Sequence, residues 1–193
     1  MKAAIMGYGT IGSGVYEVLD RNCKIVEKKA GEPIKVKYIL DLREFPGTPI
    51  EKLVIHDVKT IVDDPEIGIV VETMGGITPA YEVVKSCLLA GKHVVTSNKA
   101  LVAAHGTELI RIAAEKNVSF LFEASVGGGI PIIRPLVECL GGEEIEEISG
   151  ILNGTTNYIL TKMNEEGWSF EEALKCAQEL GYAERNPEAD VEG

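Results

Sequence analysis

Met1-Lys-Ala-Ala-Ile-Met-Gly7-Tyr-Gly9-Thr-Ile-Gly12-Ser-Gly14 is the stretch on which the fold turns. Lys2 to Met6 is a short apolar strand that runs straight into Gly7-x-Gly9-x-x-Gly12. A helical pattern starts near Thr10 and continues through Val15, Val18, Leu19 and Val26. Each glycine has its own task in such a turn. Gly7 allows the tight bend, Gly9 lets the backbone come close to a pyrophosphate, and Gly12 lets the helix pack against the strand. The unpaired N–H groups of the first helical turn, around Thr10, Ile11 and Gly12, would face the phosphates, where the helix dipole favours negative charge. A strand before the glycines and an amphipathic helix after them point to dinucleotide binding. The alternatives are a mononucleotide site or a glycine-rich turn that binds nothing.

Outward from this turn, strand and helix signals alternate as far as about Phe122. Gly31-Glu-Pro33 is a break, and Ile34 to Leu40 alternates as a second strand. A loop at Pro46-Gly-Thr-Pro49 follows. Ile67 to Val71 is a continuous apolar run suited to a parallel strand buried on both faces, and Gly75-Gly76 lies beyond it. Helices are expected over Pro79 to Ala90 and Ala103 to Lys116, with strands at His93 to Val95 and Ser119 to Phe122. This order predicts an α/β fold with a doubly wound parallel sheet. After Gly127-Gly-Gly129 the character changes. Pro131 to Leu140 reads as a helix, Glu143 to Leu152 as a strand with acidic residues on one face, and Thr155 to Glu166 as a helix. Ser169-x-x-Glu172 is a capping box that opens a last helix before Gly181. A domain boundary is therefore expected between residues 1–128 and 129–193.

The 193 residues carry 19 Lys plus Arg against 30 Asp plus Glu, a net charge of −11. That balance argues against nucleic-acid or anionic-membrane partners, which need a basic face. Apolar content of 45% and charged content of 25% suit a globular core of useful size. Four cysteines, Cys23, Cys87, Cys139 and Cys176, are widely spaced with no CxxC, and read as buried free thiols in a reduced compartment. No charged-then-apolar leader and no apolar run of about 20 residues is present, so a cytoplasmic protein is expected.

The chain resembles homoserine dehydrogenases. Four segments carry the likeness: Gly7 to Gly14, Val94-Val-Thr-Ser-Asn-Lys-Ala100, Phe122-Glu-Ala-Ser-Val-Gly-Gly-Gly-Ile-Pro131 and Gly150-Ile-Leu-Asn-Gly-Thr-Thr-Asn-Tyr-Ile159. Leu180-Gly-Tyr-Ala-Glu184, followed by Pro187 and Asp190, is similar to the start of the family's substrate loop. The resemblance implies a Rossmann dinucleotide domain followed by the beginning of an α+β substrate and dimerisation domain. It implies interconversion of L-homoserine and L-aspartate 4-semialdehyde with NAD or NADP, in threonine and methionine biosynthesis, by a homodimer. Lys99 emerges where ligands bind in open α/β sheets. There it can protonate, or stabilise, the oxygen left by hydride transfer to an aldehyde. Otherwise it is a surface lysine at a strand end.

The resemblance also assigns residues by position. Gly75 and Ser97 join the glycine turn and Lys99 on the cofactor side. Asn153, Gly154 and Thr155 would lie beside nicotinamide and substrate, or form a plain strand-to-helix turn. Glu184 would hold the substrate, with Asp190 as a supporting carboxylate. A monovalent cation, Na+ or K+, would be held by the Glu123 side chain and the carbonyls of Val126, Gly128 and Ile130. Oxygen-only ligands suit a hard cation; the alternative is a glycine hinge with a solvated or ion-paired glutamate.

Cofactor choice is open between NAD and NADP. Asp41, at the end of the second strand, favours a ribose diol, while Arg43 favours a 2′-phosphate. Leu40 stands where many family members have an arginine, which leans the reading toward tolerance of NAD. The family pattern continues beyond Gly193 with an Asp and, four residues later, a Lys. The 193-residue chain is accordingly expected to be inactive or very weak by itself. Two other functions compete: a different amino-acid-pathway dehydrogenase, and a non-catalytic dinucleotide-binding module.

Overall fold

Side chains of β1 (Lys2–Met6) alternate between two cores. Ala4 and Met6 pack with Val84, Leu88, Leu101 and Leu109 on one face of the sheet, and Ile5 packs with Ile39 and Ile50 on the other. A strand that is apolar on both faces belongs in the middle of a parallel sheet. In the computed structural model, which describes residues 1–150 and 153–183, β1 lies there. The neighbours are β2 (Lys35–Leu40), β3 (Val54–Ile55), β4 (Ile67–Glu72), β5 (His93–Thr96) and β6 (Phe120–Leu121). All pair in parallel, in the order β3-β2-β1-β4-β5-β6. The doubly wound sheet expected from the alternation is thus present, with its switch point between β1 and β4.

The register places Leu40, Met6, Glu72 and Thr96 in one row at the carboxyl edge. The residues that follow them, Asp41, Gly7, Thr73 and Ser97, begin the loops above that row.

Helices connect the strands: α1 (Thr10–Arg21), α2 (Cys23–Ala30), α3 (Lys59–Val62), α4 (Thr78–Leu89), α5 (Lys99–Glu115) and α6 (Ala124–Gly127). Three expectations are corrected here. The first helix does not continue through Val26. Asn22 leaves helical geometry at φ −101°, ψ 19°, and α2 starts afresh after it. The helix expected from Ala103 starts at Lys99, because the Asn98 side chain accepts the Leu101 N–H and caps it. The helix expected over Pro131–Leu140 is shorter, running over residues 133–139 with a π turn at Pro135–Cys139. Of the cysteines, all free, Cys87 is buried but Cys23 and Cys139 are exposed, against the expectation of burial. Both sit on elements whose apolar faces stop short of the core. Burial pushes the Cys87 thiol up to about 11.

Two compact units divide the chain at Gly141/Gly142. The glycine run at 127–129 lies inside the first. In the second, α7 (Gly154–Glu166) and α8 (Phe170–Glu179) close over Ile159, Ala173 and Ala177. The capping box at Ser169 and Glu172 is formed in both directions. The strand expected over Glu143–Leu152 does not form across residues 143–150, and its last two residues lie outside the described ones. A lone strand has no ladder to satisfy its backbone groups, and four glutamates in this stretch add repulsion.

Candidate dinucleotide-binding site

Gly7 sits at φ +93°, where L side chains are strained, and a Cβ there would fall 2.9 Å from the Thr73 carbonyl oxygen. At Gly12 a Cβ would stand 2.0 Å from the Gly7 carbonyl oxygen. The turn and the first turn of α1 are therefore in direct backbone contact. A Cβ on Gly9, by contrast, would meet nothing within 4 Å. No side chain caps the start of α1, and no acid lies in its first turn. The N–H groups of Thr10, Ile11 and Gly12 thus open toward the space beside Gly9. A Cβ-free cradle with uncapped donors and a positive dipole end fits a pyrophosphate.

Thr73 ties this turn to the next loop. Its hydroxyl donates to the Gly7 carbonyl at 2.8 Å, and its N–H donates to the Met6 carbonyl at 2.8 Å. Gly7, Gly9, Asp41, Arg43, Thr73 and Gly75 line one crevice of about 550 Å3 at the β1/β4 switch point. Ser97 and Lys99 stand further along the sheet edge, at the end of β5 and the start of α5.

The Asp41 side chain is about 9% exposed and accepts four hydrogen bonds. The Tyr8 N–H reaches Oδ2 at 2.7 Å and the Arg43 N–H reaches Oδ1 at 2.9 Å. The Arg43 guanidinium adds a bidentate pair, Nε to Oδ1 and Nη2 to Oδ2, both at 2.9 Å. The guanidinium holds the Asp41 carboxyl far below the ordinary carboxylate range, against the opposing effect of burial. Arg43 itself is exposed, donates to the Tyr8 carbonyl at 2.9 Å, and lies over the Phe45 ring. An anionic residue and a cationic residue thus share the rim where a ribose would sit.

Lys99 is exposed, and its side chain makes no hydrogen bond or ion pair among the described residues. It is the first residue of a 17-residue helix, where a cation opposes the dipole. Helix stability does not explain a lysine there.

Glu123 accepts the N–H groups of Ile132 and Ile133 on Oε1 and of Arg134, at 2.8 Å, on Oε2. Burial alone would raise its pKa, but these donors outweigh burial and hold it below the ordinary range. The carboxylate therefore anchors the segment beyond the glycine hinge.

In the second unit, Asn153 caps α7 by accepting the Thr156 N–H at 2.9 Å. Thr155 is buried and its hydroxyl donates to the Tyr182 carbonyl at 2.6 Å. Gly154 and Thr155 line an open cleft with Asn157, Tyr158, Thr161 and Tyr182. Glu184 and Asp190 lie outside the described residues. Sequence reasoning missed Tyr8, Thr73 and Met74 as lining residues, and Glu72 beneath them. A charged residue closing the apolar run at Ile67–Val71 was the available signal for the last.

Family models match in tandem: the homoserine dehydrogenase NAD-binding domain over residues 7–123 and homoserine dehydrogenase over residues 131–193. The chain belongs to the homoserine dehydrogenase family. Homoserine dehydrogenase of Synechocystis sp. is 48% identical across 100% of this chain and 45% of the relative. That of Pseudomonas aeruginosa is 45% identical, again across 100% of this chain and 45% of the relative. The chain therefore spans less than half the length of these curated relatives. A crystal structure of a homoserine dehydrogenase from Thiobacillus denitrificans superposes with a TM-score of 0.88 at 43% identity, over 99% of this chain and 45% of that one. A hyperthermophilic archaeal homoserine dehydrogenase in complex with NADPH gives a TM-score of 0.82 at 30% identity, over 98% of this chain and 64% of that one.

Proposed function

We propose that this chain is the dinucleotide-binding part of a homoserine dehydrogenase, holding NAD(P) across the β1/β4 switch point. The observation that carries this reading is the glycine turn at α1: Gly12 tolerates no Cβ, Gly9 faces open space, and the helix end is uncapped. Gly7, Gly9 and the N–H groups of Thr10, Ile11 and Gly12 hold the pyrophosphate. Asp41 and Arg43 hold the adenosine ribose, the first accepting from a diol and the second meeting a 2′-phosphate, so both NAD and NADP bind. Gly75 and Ser97 flank the other half of the cofactor.

The bound nicotinamide supplies a hydride to, or takes one from, carbon 4 of the substrate. Lys99 faces the charge that gathers on the substrate oxygen when aspartate 4-semialdehyde is reduced, and delivers the proton that makes homoserine. Asn153, Gly154, Thr155, Glu184 and Asp190 belong to the substrate side of this reading, which rests for them on the family resemblance. A monovalent cation at Glu123, Val126, Gly128 and Ile130 has the same basis. The carboxylate's bonds to residues 132–134 compete with it, and no step here depends on it. Assembly as a homodimer and residence in the cytoplasm likewise follow from the family; no helix among the described residues is long and apolar enough to cross a membrane.

Calorimetric titration of the 193-residue chain with NADH and NADPH tests the reading. Saturable binding of at least one, displaced by ADP-ribose, is expected. Absence of binding by both overturns it.

A further inference from the structure

We propose that Glu72 is a positioning residue, locking the crevice loop at residues 74–76 to the turn that carries Lys99. This rests on the dinucleotide reading above and extends it to a residue that touches neither cofactor nor substrate. Glu72 closes β4 and is fully buried. Burying a carboxylate costs several kcal/mol unless its lone pairs are satisfied. No cation pairs with it among the described residues. Its partners are all neutral donors: the N–H groups of Met74 at 2.8 Å and Gly75 at 3.3 Å on Oε1, and the Thr96 hydroxyl on Oε2.

In the same row Met6 and, beyond it, Leu40 are apolar, while Thr96 on the other side is polar. An apolar side chain at 72 would suit the strand's own pattern, but it would leave the Met74 and Gly75 N–H groups and the Thr96 hydroxyl without this acceptor. The carboxylate contributes something an apolar side chain cannot, which is a closed ring of hydrogen bonds. From Thr96 the ring passes to the Asn98 N–H, which donates to the Thr96 hydroxyl at 2.9 Å. Asn98 then returns it to the first loop, donating from Nδ2 to the Gly76 carbonyl at 2.7 Å. Its Oδ1 caps α5 at Leu101, two residues from Lys99.

Gly75 and Gly76 both sit in the left-handed region, at φ +76° and +70°, so this loop has little intrinsic preference for one shape. The ring supplies that preference. In a doubly wound sheet the half beyond the switch point serves the second mononucleotide. Glu72 therefore fixes the Lys99 turn, beyond the switch point, against the loop at residues 74–76, whose Met74 and Gly75 also line the crevice with Asp41 and Arg43.

The test compares two ligands on the 193-residue chain. ADP reaches only the adenosine half; NADH spans both. Glu72→Leu is expected to weaken NADH by about tenfold and ADP by no more than about threefold, because NADH alone also reaches the Lys99 turn. Glu72→Gln, which keeps an acceptor for Met74 and Gly75, is expected to recover part of the loss. Amide exchange at 74–76 and 99–102 should quicken in Glu72→Leu, with exchange at 7–12 unchanged. Should Glu72→Leu fail to fold, Thr96→Val cuts the same ring with nearly the same shape and carries the same comparison. Equal loss of ADP and NADH, or no loss of either by a folded variant, overturns the proposal. Wild-type chain that binds ADP and NADH with equal affinity also overturns it, while wild-type chain that binds neither overturns the dinucleotide reading beneath it.

Discussion

Gly9 and Gly12 are three residues apart and face opposite demands. A Cβ at Gly12 collides with backbone, so Gly12→Ala is expected to cost about 1–3 kcal/mol of stability and to distort the turn. A Cβ at Gly9 meets only open space, so Gly9→Ala should leave the melting temperature within about two degrees yet weaken NAD(P) binding at least about tenfold, roughly the cost of one lost phosphate contact. Thermal denaturation and calorimetry on the two variants separate packing from ligand approach. Arg43 offers a second residue-scale test. With its guanidinium gone, Asp41 stands uncompensated beside the ribose. Arg43→Ala is therefore expected to weaken NADPH by about tenfold or more and NADH by much less, as competitive titrations would read.

At the scale of elements, hydrogen-bond supply separates the expectations that formed from those that did not. The capping box at Ser169 and Glu172 is a local motif, and α8 starts where the motif says. Ser169→Ala should cost about 1 kcal/mol, visible in denaturant unfolding of the second unit. The strand expected over residues 143–150 needed a partner that alternation alone cannot provide. Asn98 lay unnoticed as a cap because Val94–Lys99 reads as strand running into loop, and only the helix it starts shows its purpose.

The β2 and β4 ends offer a pH test. Lys37 Nζ lies 2.5 Å from both Asp64 and Glu66. Lys37, with smaller help from the Glu66 N–H and Tyr38, lowers the Asp64 carboxyl from 3.8 to about 2. A depressed carboxylate contributes stability that is present above 3.8 and is lost as pH falls toward 2. Lys37→Met is expected to move the acid-unfolding midpoint to higher pH, followed by far-ultraviolet circular dichroism.

For the whole molecule, the two units have unequal cores. The first buries side chains on both faces of a six-stranded sheet; the second closes α7 and α8 over a few small residues and Ile159. Amide exchange should be slowest in β1 and β4 and markedly faster in α7 and α8, since local opening follows buried apolar contact. Equal protection in the two units would refute that ordering. The sequence by itself determined the strand-turn-helix at residues 2–21, the alternation behind the parallel sheet and the family, because these rest on local sterics: where a Cβ fits, where φ is positive, which residues repeat with a strand or helix period. Tertiary structure alone decided that Glu72 meets Thr96, that Asp41 and Arg43 both bond the Tyr8 backbone, and that Glu123 anchors residues 132–134. Those bonds depend on strand register and on how loops return over the sheet edge, and no short-range pattern encodes either.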